Sequence, residues 1–167
     1  MQTLDTHPLT STAMTTLSAD NALLANALRW QGLKVDDSSV DLIGTDGKTI
    51  GINSDKFASY SEEERVYILA FISLMIINQY LDRRGDRDPY AWNLACGMSV
   101  HLILEDAGIT GRPSNTDDLI DPECRGLTAD EIYDRLMDDR VKILGKSITS
   151  LLSLFVETTT LPTSQDT

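Results

Sequence analysis

Two cysteines and two histidines are the only thiol and imidazole side chains in the 167 residues. Cys96 and Cys124 are too few for a disulfide framework or a four-thiolate zinc site. A three-histidine metal centre is excluded by the same count, and a histidine-dependent triad has few candidates. Basic residues are scarce as well: 14 Lys and Arg stand against 26 Asp and Glu, a formal net charge of −12. That deficit argues against neutralising phosphates on nucleic acid or an anionic membrane, so the expected partner is a protein with a basic surface. The longest apolar run, 66–77, is interrupted by Tyr67 and Ser73 and is too short to cross a bilayer. No basic-then-apolar signal pattern stands near residue 1, which makes a reducing cytoplasm the expected compartment. G-x-S-x-G, Walker-type and G-x-G-x-x-G elements are missing, and the glycines at 44, 47 and 51 are not followed by a helix start that could hold phosphate.

What is present is the composition of one globular domain, 41% hydrophobic and 24% charged. Residues 1–16 and 158–167, rich in Thr and Ser with Pro8 and Pro162, are expected to be loose tails around a single domain at 17–157. Ser18 is expected to cap a helix to Arg29, with Ala22, Leu23, Ala25, Leu28 and Trp30 as its apolar stripe and Gly32 as its end. Two β-prone runs around Asp46-Gly47 predict a hairpin. Ser61 and Glu64 form a capping box that opens a helix to about Asp82. That helix is apolar on nearly every side, so it is expected at the centre of the fold. Asp88-Pro89 is the cap and first turn of the next helix, whose stripe is Trp92, Ala95, Cys96, Ser99, Val100, Ile103 and Leu104 before Gly108. A second capping box, Thr128 with Glu131, opens another helix, and an apolar stretch from Val141 to Val156 finishes the fold. The fold class is therefore α+β, mostly helical, with a small β-hairpin and a central buried helix.

Candidates for chemistry are few. His7 lies in the expected tail. His101 and Glu105 are four residues apart on one helix, a spacing that can present two metal ligands, with Cys96 about a turn and a half earlier; the same residues also fit the polar edge of an amphipathic helix. Cys96 falls in the apolar stripe and is expected as a small core residue. The uneven charge is more informative. Residues 114–139 carry Asp117, Asp118, Asp121, Glu123, Asp130, Glu131, Asp134, Asp138 and Asp139 against Arg125 and Arg135, nine negative less two positive, a net of −7. Such a face can steer a basic partner or stand in for nucleic-acid phosphates; it can equally be a solvated loop and helix start whose carboxylates suit the helix dipole. Arg83, Arg84 and Arg87 are the one basic cluster, expected as its intramolecular counterpart.

Several segments resemble a known family in order and spacing: Gly44-Thr45-Asp46-Gly47-Lys48, Ile52-Asn53, Ser61 to Ala70, Arg83-Arg84-Gly85-Asp86-Arg87-Asp88-Pro89, Trp92-Asn93-Leu94-Ala95-Cys96, Asp121-Pro122, and Arg125 to Tyr133. Over residues 40–139 they are similar to the metallopeptidase-like domain that often precedes a von Willebrand A domain and is encoded beside MoxR-type AAA+ ATPases in bacteria and phages. The resemblance implies a zincin-like scaffold: a hairpin, a helix carrying H-E-x-x-H, and a second helix whose W-N-x-A-x-D run adds an acidic position. Counting back from Arg83-Arg84, the first His position falls on Phe71, the Glu on Ile72, the second His on Met75 and the Asp on Gly97. No His or Glu occurs between Arg65 and Tyr80, so no shift of register restores the motif.

The resemblance thus implies a pseudoenzyme that needs no cofactor: a non-catalytic, acidic protein-binding module on a degenerate metallopeptidase-like scaffold. Since such genes travel in phages and mobile elements, an inhibitor covering a basic surface of a host protein is the expected role. The alternatives are a metal-dependent hydrolase with its site relocated to His101 and Glu105, and a structural subunit of a larger assembly.

Overall fold

The computed structural model describes residues 2–36 and 40–138; the expected apolar stretch at 141–156 and the tail at 158–167 lie outside them. The chain forms α1 (Ser11–Asp20), α2 (Ala22–Arg29), β1 (Gly32–Val35), β2 (Ile43–Thr45), β3 (Thr49–Ile52), α3 (Ser54–Ala58), α4 (Glu62–Ile77), α5 (Tyr80–Arg83), α6 (Pro89–Asp106) and α7 (Ala129–Asp138), with 3-10 turns at Ser114–Leu119 and Pro122–Cys124. The protein is α+β and mostly helical. No helix among the described residues is long and apolar enough to cross a membrane.

Local signals place most of these elements. The Ser61 hydroxyl accepts from Glu64 N–H while the Glu64 carboxylate accepts from Ser61 N–H, so the capping box starts α4 as expected. Asp88 caps α6 through Ala91 N–H, with Pro89 in the first turn. Thr128 and Glu131 close the second box at α7. In the hairpin, β2 pairs antiparallel with β3, and Gly47 takes the positive φ of 93° that the tight turn requires.

Tertiary contacts decide the rest. Residues 2–16 are not a tail: Leu4, Ala13, Met14 and Leu17 are fully buried, because α1 packs on α4 and α2 and so covers the side of α4 that its all-round apolar sequence leaves in need of cover. His7 is accordingly half-buried, its Nδ1 accepting from Leu9 N–H at 3.0 Å. The cap of α2 is Asn21, whose side chain accepts from Leu24 N–H, and not Ser18. Leu23 and Trp30 leave the expected stripe; Trp30 is 87% exposed, as the apolar side of α2 is completed by Leu24, Ala25 and Leu28. Gly32 begins a strand: β1 pairs in parallel with β3, extending the hairpin to the order β1-β3-β2. The long helix expected to reach Asp82 stops at Ile77, and Gln79, in the left-handed region at φ 54°, lets α5 start in a new direction. Ile103 is 42% exposed and lies off the buried face of α6.

Candidate functional site

Helices α4 and α6 pack against each other at the centre of the molecule and bring two pairs of residues spaced i, i+4 face to face. Tyr67 and Phe71 project from α4, Gly97 and His101 from α6. Phe71 and His101 are wholly buried, with ring centroids 4.7 Å apart and tilted by 44°. A Cβ on Gly97 would lie 3.6 Å from Phe71 Cζ, so the absent side chain is the room the phenyl tip uses. Tyr67 stacks on His101 at 5.8 Å, and a 2.7 Å hydrogen bond joins its hydroxyl to His101 Nδ1. Burial lowers the His101 pKa to about 3, with the Arg112 charge adding to the effect, so the imidazole is neutral. Burial also pushes the Tyr67 phenol well above its ordinary range, and the hydroxyl keeps its proton.

The four positions that the motif comparison singles out are thus inside the core. Phe71 and Ile72 are at most 1% exposed and Met75 is 4% exposed, all in the main hydrophobic cluster. A zinc ion is held by imidazole, thiolate or carboxylate donors and needs a base for its water. Phenyl, sec-butyl, thioether and hydrogen do not supply these, so the residues present do not fit the ion. His101 and Glu105 do not converge either: His101 points into the core, whereas the exposed Glu105 carboxylate accepts from Arg125 at 3.0 Å. Cys96 is a buried core residue, its thiol pushed far up by desolvation. Among the described residues no group of three or more His, Cys, Asp and Glu side chains is placed to hold a metal ion.

The acidic segment is scattered over one end of the molecule, and much of it is engaged locally. Asp117 pairs with Arg112 at 2.8 Å, Glu123 with Arg135, and Asp130 with both Arg83 and Arg87. Asp121 caps the Pro122–Cys124 turn through Glu123 N–H, and Glu131 caps α7. Asp118, Asp134 and Asp138 are exposed; Asp139 lies outside the described residues. The expected intramolecular role of Arg83 and Arg87 is met in full. Arg87 lies over the rings of Trp92 at 4.6 Å and Tyr133 at 5.6 Å, and Arg83 over Tyr80 at 5.3 Å, so each guanidinium has an aromatic face as well as the Asp130 carboxylate. The sequence reading missed Tyr67 and Tyr133. The i, i+4 relation of Tyr67 to Phe71, repeated by Gly97 and His101, was the available signal for the first.

A family model described as "Putative metallopeptidase domain" matches residues 6–150. The match takes in α1 as well as the segments between the hairpin and α7. No curated protein and no solved structure matches the chain.

Proposed function

The chain belongs to this family of metallopeptidase domains, and from that premise we propose that it is a non-catalytic member that works by binding another protein. The observation that carries the proposal is the Phe71 ring, wholly buried against Gly97 and His101 where the resemblance puts the first metal ligand and the acidic position. Without a metal, a buried carboxylate and two imidazoles would each cost desolvation free energy, and apolar groups that fill the same space remove that cost. The zincin-like scaffold is kept in this reading for its shape. Its partner is a protein with a basic surface, recognised through the excess of carboxylates at 114–139, and the role that fits a small acidic protein of this kind is an inhibitor covering a nucleic-acid-binding face.

The structure guides the choice of variants. Reversal of Asp130 would strand Arg83 and Arg87, so Asp117→Lys with Asp118→Lys is the better probe, costing only one exposed ion pair worth about 0–1 kcal/mol. Full-length protein is expected to hold no stoichiometric zinc, to hydrolyse no protein substrate with divalent metal added, and to retain a basic protein at low salt that both the double variant and high salt release. Metal-dependent hydrolysis by clean protein, or capture indifferent to charge reversal and salt, contradicts the proposal.

A further inference from the structure

A second cavity, of about 240 Å³, opens where α4 ends, between the hairpin turn and the junction of α4 with α5. Met75, Ile76 and Tyr80 give it apolar walls, while Thr45, Gln79 and Asp82 add polar groups. Asp82 is the only charged residue among the described residues that line it. The carbonyl end of a 16-residue helix, with its partial negative charge, faces the same space. Gln79 is held at φ 54°, a conformation that L residues seldom adopt away from sites that need it, and this turn places the Gln79 amide and the exposed Asp82 carboxylate at one mouth of the cavity.

We infer that this cavity is a binding site for an arginine side chain presented by a protein partner, an assignment that rests on the basic-partner reading above. The methylene stem lies along Met75 and Ile76, and the guanidinium meets the Asp82 carboxylate. Arginine suits the site better than lysine because its planar fork can donate to Asp82 and to the Gln79 carbonyl oxygen at once and its weak hydration is lost readily at an apolar wall. A long basic side chain with a buried stem and a charged tip matches walls of this kind.

The test uses full-length protein and N-acetyl-arginine methylamide, read by the methyl resonance of Met75, which a Met75→Leu variant assigns. The expected result is a saturable shift of that methyl. The isosteric, uncharged citrulline compound should bind at least tenfold more weakly, and Asp82→Asn should weaken the arginine compound by a similar factor. Asp117→Lys with Asp118→Lys should leave it unchanged. Equal binding of the citrulline compound, full affinity in Asp82→Asn, or the absence of a saturable shift overturns the assignment. Because the probe needs no partner protein, its outcome is separate from whether a basic partner is captured.

Discussion

Phe71 is where the residue scale decides most. Its ring is wholly buried, so Phe71→Ala should lower stability by about 3–5 kcal/mol in chemical denaturation, the cost of lost contacts plus a cavity beside His101. Gly97 offers the complementary check. A methyl there meets Phe71 at an ordinary contact distance of 3.6 Å, so Gly97→Ala should cost no more than about 1 kcal/mol, offset in part by a better helix propensity. Gly97→Asp, by contrast, places a carboxylate among apolar rings and should destabilise strongly or raise its own pKa to stay neutral. His101 gives a pH signature with a definite sign. The folded protein keeps the imidazole neutral down to about pH 3, whereas in the unfolded chain it takes up a proton below about 6.5. The unfolded state therefore binds more protons in that window, and stability falls as pH drops through it, by up to about 1.4 kcal/mol per pH unit. His101→Gln, which keeps a partner for the Tyr67 hydroxyl, should flatten the slope between pH 6.5 and 5; an unchanged slope would mean that His101 is not held neutral.

At the scale of elements, the parts legible in the sequence are those whose partners lie within a few residues. The two capping boxes, the Asp88-Pro89 helix start and the Asp46-Gly47 turn are decided locally and appear where the spacing puts them. Helix α1 and strand β1 were not legible. The Thr-rich sequence of α1 has a weak apolar stripe, and its place in the core comes from packing on α4, some fifty residues away. Strand β1 exists because Gly32 to Val35 pair with Thr49 to Ile52, which no local pattern announces, and Gly32 looked like a helix stop. Leu17→Ala measures the first of these directly: a buried residue of α1 should cost about 2–5 kcal/mol, where a residue of a loose tail would cost almost nothing. The Arg83–Asp130–Arg87 bridge joins α5 and the turn before α6 to α7. Its members are about a third to two fifths exposed, so Asp130→Ala should cost only about 1–2 kcal/mol, with part of the loss disappearing at high salt.

Across the whole molecule, the domain keeps the framework of its family and fills the implied metal position with hydrocarbon. The candidate site was legible only as a negative: the absence of His and Glu between Arg65 and Tyr80 says that the motif is missing, but not what occupies its space. That Phe71 meets Gly97 and His101 depends on how α4 and α6 face each other, a fact of packing that a linear spacing does not contain. The acidic segment was legible as charge but not as geometry, since the same Asp and Glu side chains could be free or, as with Asp117, Glu123 and Asp130, tied to arginines far away in the chain. The most direct measurement of the central claim is equilibrium zinc binding by full-length protein, with metal analysis of the purified material and its Tm with and without added zinc. A ligand that binds only the folded state must raise the Tm, so a non-catalytic domain predicts no stoichiometric metal and an unchanged Tm. One zinc ion per chain with a raised Tm would contradict the account.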